Sequence, residues 1–207
     1  MITLALARGR LLDEEASLLK KAGYPVENIL KDSRKLIFEY PSLKLKILII
    51  RPTDIPPYVE YGAADCGIVG MDTLMEENHD LYEPLDLGIG RCKLVVAAPK
   101  GFKYSSCRSL RIATKYPKVS NEHFSGKGIG TEIVKLYGSV EIAPILGLSD
   151  VIVDLTATGE TLKKNNLVEF ETIADISARL VVNRVSMKVK SEEIKGFIKK
   201  LKEVRDD

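Results

Sequence analysis

Three cysteines and two histidines are all that the 207 residues offer for disulfide, zinc or imidazole chemistry. Cys66, Cys92 and Cys107 are odd in number, widely spaced and form no C-x-x-C, which speaks against a disulfide scaffold and against a zinc module. His79 and His123 lie far apart in polar surroundings without a ligand pattern. Each reads as a surface residue rather than a metal ligand or a general base. A Ser-His-Asp hydrolase is disfavoured, because no G-x-S-x-G elbow is present. No apolar run reaches the roughly 18 residues of a membrane span, and no basic-then-apolar leader precedes a cleavage site. An intracellular, cytoplasmic protein without a membrane partner is therefore expected. Charge of either sign is also in short surplus: 31 Lys and Arg stand against 29 Asp and Glu, a net +2. The excess lysine gathers near the C-terminus, and it is too little for a nucleic-acid footprint.

With 45% hydrophobic and 29% charged residues, the chain can bury a sizeable core, as one large domain or two small ones. Short apolar runs alternate with longer amphipathic stretches, the pattern of an α/β protein. The strand candidates are 2–7, 36–39, 45–50, 66–69, 92–98, 111–114, 133–136, 151–155 and 179–183. Helices are expected over 11–22, where Leu11, Leu12, Ala16, Leu19 and Ala22 recur at helical spacing, and over 56–61, which opens on prolines. A third is expected over 191–204, with Ile194, Phe197, Ile198 and Leu201 on one face and Ser191 as N-cap. Two stretches read as domain joints, 85–93 with Gly88 and Gly90, and 173–180. They predict a discontinuous first lobe of 1–90 plus 180–207 and an inserted second lobe of 91–179. A cleft between such lobes is where a small-molecule site is expected.

The most informative segment is Val151-Ile-Val-Asp-Leu-Thr-Ala-Thr-Gly-Glu-Thr-Leu162. An apolar run ends in Asp154, Thr156, Thr158, Gly159 and Thr161 follow, and then a helical pattern begins. A strand–loop–helix turn of this kind points backbone N–H groups at one spot and suits a phosphate. Asp154 is placed for ribose hydroxyls or a hydrated Mg²⁺. The segment lacks the Gly-Lys-Ser/Thr ending of a Walker A loop and the G-x-G-x-x-G of a dinucleotide fingerprint. An ordinary capped turn remains the competing reading. Upstream, Gly138 and Ser139 offer a second turn, and Glu141 falls early in the next helical stretch, serving either the helix dipole or a substrate. Cations stand at strand ends in Arg8-Gly9-Arg10 and at Arg51, and Arg34 precedes another strand. Arginine is the better choice for bidentate phosphate contact. The stretch from Gly62 to Asp72 supplies a further turn, in which a positive φ is expected at Gly70 and either a helix cap or a ligand role at Asp72. Tyr116, before Pro117, reads as an exposed ring that either stacks on a purine or needs no function there.

Taken together, these segments resemble the ATP phosphoribosyltransferase of histidine biosynthesis. Glu141 through Leu162 carries the closest match, with a glutamate, a Gly-x-Ser, an apolar-Asp-Leu and then Thr-Gly-x-Thr-Leu. Arg8-Gly9-Arg10-Leu11, Arg51-Pro52-Thr53-Asp54, Gly62 to Asp72 and Ala113 to Pro117 support it in the right order. The chain departs from the family at Ala7-Arg8, where Pro-Lys is usual, and at Asn183-Arg184, where Asn-Pro is common.

The resemblance implies a two-lobed α/β fold of the periplasmic-binding-protein type (type II), with a cleft between the lobes. It implies transfer of phosphoribose from phosphoribosyl diphosphate to N1 of ATP, with Mg²⁺ held mainly by the substrate diphosphate and no metal ligands of the protein's own. Thr156, Ala157, Thr158, Gly159 and Thr161 would wrap the 5′-phosphate, and Asp154 would meet the ribose. Glu141 and Tyr116 would lie near ribose and nucleotide, while Arg34, Arg51 and the Arg8-Gly9 turn would meet anionic groups. The length fits the family's short form, implying a homo-oligomer that works with a regulatory subunit related to histidyl-tRNA synthetase. The alternative is a non-catalytic small-anion-binding or sensor module on the same fold.

Overall fold

The computed structural model describes residues 1–31, 34–103 and 108–206, so Cys107 lies outside the described residues. It divides into two compact units, one of 1–90 and 177–207, the other of 91–176.

The first unit is built on a six-stranded sheet in the order β2-β3-β1-β4-β11-β5. Its strands are β1 (Ile2–Ala7), β2 (Ile37–Tyr40), β3 (Leu45–Ile50), β4 (Cys66–Gly70), β5 (Tyr82–Asp86) and β11 (Ala178–Val182). The central strands β3, β1 and β4 run parallel, with β2 and β11 antiparallel to them. β1 shows why a near-continuous apolar run suits this place. Leu4 and Leu6 face one apolar cluster and Ala5 and Ala7 the other, so both faces are buried. α1 (Leu12–Lys21) and α7 (Ser191–Asp206) cover the first face through Leu19, Ile194, Phe197 and Leu201. α2 (Ile55–Glu60) covers the other through Ile55 and Val59. The remaining helices of this unit are α3 (Met71–Glu76) and α6 (Arg184–Val189).

The second unit carries a five-stranded sheet in the order β10-β6-β9-β7-β8. These strands are β6 (Cys92–Pro99), β7 (Ser109–Thr114), β8 (Gly130–Lys135), β9 (Val151–Thr156) and β10 (Leu167–Ile176), with helices α4 (Pro117–Ser125) and α5 (Glu160–Lys164). β9, β7 and β8 are parallel, β6 is antiparallel to β9, and β10 is antiparallel to β6. Among the described residues no helix is long and apolar enough to cross a membrane.

Several expectations shift. β5 and β10 have no counterpart among the expected strands. β5 contains Pro84 and lies at a sheet edge, where proline is tolerated. β10 is also an edge strand, and its two bulges break the alternation that marks a strand. β10 also runs into the expected second joint, which lies at Ile176 and Ser177 rather than at 180, because β11 pairs along its length with β4. Ser191 is the first residue of α7 rather than its cap, since the Ile194 N–H donates to the Lys190 carbonyl. At Asn183-Arg184 the helix start is kept. The Ser186 N–H donates to Asn183 Oδ1 at 2.8 Å, and Arg184 pairs with Asp80 at 2.9 Å.

Candidate functional site

Strand pairing brings the segments of Arg8, Arg34 and Arg51 to one end of the first unit's sheet. Ala7 is registered against Ile50, so Arg8 and Arg51 leave adjacent strand ends. The Arg8 N–H donates to the Ile50 carbonyl at 2.7 Å. The Ile49 N–H donates to Leu36, which brings the segment after Arg34 to the same end of β3. Gly9 adopts φ +119°, a conformation that favours glycine, so the turn between Arg8 and Arg10 depends on it. Beneath this turn lies an acid that sequence reading missed. Glu15 of α1 is fully buried, and both its carboxylate oxygens accept the Ala7 N–H, at 3.2 and 3.1 Å. Burial drives its pKa well above the ordinary carboxylate range, the hydrogen bond from Ala7 opposing in part.

In the second unit, Thr156 ends β9, Ala157 and Thr158 form the turn, and Gly159 caps α5 at φ +74°. A Cβ at Gly159 would meet nothing within 4 Å, so glycine is required there by backbone conformation and not by crowding. Two threonines brace the turn. The Gly159 N–H donates to Thr156 Oγ1 at 3.0 Å and the Glu160 N–H to Thr158 Oγ1 at 3.4 Å. Thr156, Ala157, Thr158 and Gly159 line one side of a cavity of about 480 Å³, together with Lys93 and Lys163. Leu162 and Leu167 also line it and join it to the unit's apolar core.

The other expected residues divide. Asp154 lies on β9 two residues before Thr156, on the same strand face, and accepts the Leu155 N–H at 2.8 Å. Thr161 is exposed in α5 and does not line the cavity. Glu141 sits in a 3-10 turn, Val140–Ile142, rather than in an α-helix, entered through Ser139 at φ +50°. Val140 and Ala143 pack with Ile152 and Leu162, so the Glu141 turn and α5 rest on one cluster. The end of β7 is tied to β9, because Thr114 Oγ1 donates to the Val153 carbonyl at 2.7 Å and accepts the Tyr116 N–H at 2.8 Å.

Four expectations are corrected. Tyr116 is only 4% exposed, so its ring is packed into the unit and presents no open face for a purine. Gly70 has φ −65°, not a positive value. A Cβ there would come within 2.1 Å of Asp72 Oδ1, so close approach explains the glycine. Asp72 is the second residue of α3 and Gly70 its cap. The histidines are half-buried and paired rather than free on the surface. His79 lies between Glu60, at 2.6 Å, and Glu77, at 3.0 Å, and His123 lies 3.3 Å from Glu171. Among the described residues no group of three or more His, Cys, Asp or Glu is placed to hold a metal ion. Cys66 is buried, and burial pushes its thiol up.

The turn sequence and its cavity sit within a longer likeness. Residues 51–203 match the family HisG, ATP phosphoribosyltransferase. The chain belongs to the ATP phosphoribosyltransferase family. It is 53% identical over 206 residues to an ATP phosphoribosyltransferase of Citrifermentans bemidjiense, covering 98% of this chain and 97% of that one. A Thermoanaerobacter sp. ATP phosphoribosyltransferase is 52% identical over 204 residues, 98% of this chain and 95% of its own. Among solved structures, an ATP phosphoribosyl transferase (HisG:HisZ) complex from Thermotoga maritima aligns with TM-score 0.86 at 39% identity, covering 100% of this chain and 99% of that chain. The periplasmic aliphatic sulphonate binding protein SsuA of Escherichia coli aligns with TM-score 0.65 at 12% identity, over 99% of this chain and 72% of its own. That second likeness concerns the fold alone, which is the two-lobed type II architecture of periplasmic binding proteins. At 207 residues this ATP phosphoribosyltransferase has the length of the short form.

Proposed function

We infer that the turn from Asp154 to Thr161 holds the phosphoribosyl group while the chain carries out the reaction of its family. That reaction transfers phosphoribose from phosphoribosyl diphosphate to N1 of ATP and is the first step of histidine biosynthesis. The observation that carries this reading is the cavity bounded by Thr156, Ala157, Thr158 and Gly159, in a chain whose residues 51–203 match the family.

The chemistry asks for positioning and charge more than for a strong base. The adenine N1 lone pair forms a bond to the ribose C1′, the C1′–O bond breaks, and pyrophosphate leaves with the electron pair. The transition state resembles an oxocarbenium ion, which anionic side chains near the ribose stabilise. Asp154 and Glu141 take that role. Arg34, Arg51 and the Arg8-Gly9 turn meet the anionic diphosphate and triphosphate groups, where guanidinium offers bidentate contacts. Mg²⁺ enters with the substrate diphosphate as its complex. Tyr116 acts as a packed support at the end of β7, consistent with its burial. On this reading the chain works as a homo-oligomer in the cytoplasm with a regulatory subunit of the histidyl-tRNA-synthetase-like kind, and the likeness to the HisG:HisZ complex supports the last of these.

The test is incubation of the purified chain with ATP, phosphoribosyl diphosphate, Mg²⁺ and a pyrophosphatase, with the product mass read directly. An ATP–phosphoribose adduct is expected. Binding of phosphoribosyl diphosphate without an adduct means that the regulatory partner is required for turnover. Failure to bind either substrate would return the sensor reading to first place.

A further inference from the structure

The cavity beside the Thr156–Gly159 turn has a second wall that the sequence reading did not reach. Lys93, the second residue of β6, is registered directly opposite Thr156 of β9. Side chains two apart on a strand share a face. On β6, Val95 and Ala97 pack with Ile152, Leu162 and Leu167 in the core beneath α5. Lys93 therefore leaves the sheet on this same face, one step beyond the apolar pair, where it lines the cavity. The register also pairs Val95 with Asp154 and Ala97 with Ile152. Directly opposed side chains on one face are within reach of each other, and diagonal neighbours within reach of long side chains. Lys93 thus stands across from the threonine that braces the turn and diagonal to Asp154.

Its ammonium makes no ion pair with any carboxylate among the described residues. Lys163 lines the cavity too, but it lies in the last turn of α5, where the helix itself favours a cation. Lys93 is at no helix end; Asp175 of β10 is registered opposite it and Glu169 also lines the cavity, yet among the described residues no ion pair joins Lys93 to either.

We propose that Lys93 is a further substrate-binding residue, supplying the cation that meets the sugar phosphate from the strand side of the cavity. The proposal rests on the reading that the turn holds phosphoribose. From the strand side, a phosphate seated against Thr156–Gly159 would otherwise meet only the neutral donors of the turn, since Lys163 lines the cavity from α5. A lysine point charge on an interior strand adds the electrostatic term without constraining the turn. The long stem keeps its apolar contacts while the head reaches the anion.

The experiment measures binding of ribose 5-phosphate and of ATP to the full chain, alongside steady-state kinetics with phosphoribosyl diphosphate. Lys93→Met keeps the stem and removes the charge. It is expected to weaken ribose 5-phosphate roughly tenfold or more, the worth of one charge-assisted hydrogen bond. The KM for phosphoribosyl diphosphate should rise in step, while ATP affinity and Tm are unchanged. Lys93→Arg should recover most of the loss, and Lys164→Met, outside the cavity lining, should bind normally. Thr158→Val is the benchmark. If Thr158→Val weakens ribose 5-phosphate and Lys93→Met does not, the proposal is overturned and the turn reading stands. If neither variant weakens it, both fall. A Tm loss in Lys93→Met that Lys93→Arg does not restore would make the residue structural and overturn the proposal as well.

Discussion

Glu15 holds the Ala7 N–H with both carboxylate oxygens from a position with no solvent exposure. The bond crosses from α1 to the last residue of β1, immediately before the Arg8-Gly9-Arg10 turn. A buried backbone donor without a partner is costly, so the glutamate anchors the strand end on which the arginine turn is mounted.

Glu15→Ala is expected to destabilise the fold by about 2–4 kcal/mol, from the orphaned N–H and the cavity left behind. Glu15→Gln separates charge from shape. Because burial raises the folded pKa, the folded form binds its proton more tightly than the unfolded form, whose value is near 4.5. The stabilisation is complete below that value and declines as pH rises through the folded pKa. Relative to wild type, Glu15→Gln should therefore gain stability as pH rises above 4.5. Urea denaturation across pH checks this, and a constant difference would refute the shift.

His79 makes a prediction of narrower pH range. Burial pulls its pKa down, but the hydrogen bonds and charges of Glu60 and Glu77 outweigh burial and leave it above 6.5. The His79 hydrogen bond in turn holds Glu60 below 4.5. The histidine's contribution is fully present below 6.5 and disappears as pH climbs through its raised folded value. On the acid side the pair persists until Glu60 is protonated below 4.5. His79→Gln should accordingly lower Tm most between those limits and converge on wild type in alkaline buffer. Thermal melts from acid to alkaline pH would show it, and an equal deficit at every pH would count against the pairing.

The phosphate turn separates binding from folding. Thr158→Val with Gly159→Ala removes one hydroxyl and forces a side chain into φ +74°, at about 1 kcal/mol of strain. For a chain of this size that strain corresponds to a Tm fall of about 2–4 °C. Affinity for phosphoribosyl diphosphate should drop roughly tenfold or more, since the turn loses donors as well as shape. Calorimetric binding and thermal melts on the same sample compare the two losses. A loss of affinity no larger than the lost stability implies would argue against direct phosphate contact.

What could be read along the chain was whatever is local. The α/β alternation, the strand at β1, the face of α7 and the strand–turn–helix around Gly159 each follow from hydrophobic period and turn chemistry within a few residues. β5 and β10 escaped because proline and bulges blur the period at sheet edges. Gly70 is not legible from turn chemistry, because its glycine answers to the Asp72 side chain folding back on it and not to its own φ. The burial of Tyr116 is invisible in the sequence, because a polar-flanked tyrosine before proline gives no sign of the core beneath it.

The sequence by itself determined the fold class and the strand–turn–helix around Gly159, since periodicity and residue spacing encode these over short distances; the family came from the resemblance of its motifs. Only the tertiary structure decided that Lys93 faces Thr156, that Glu15 is buried beneath Arg8, and that Arg8 and Arg51 leave adjacent strand ends. Those relationships are set by strand register, which joins residues tens of positions apart through backbone hydrogen bonds and the packing of one face against a core.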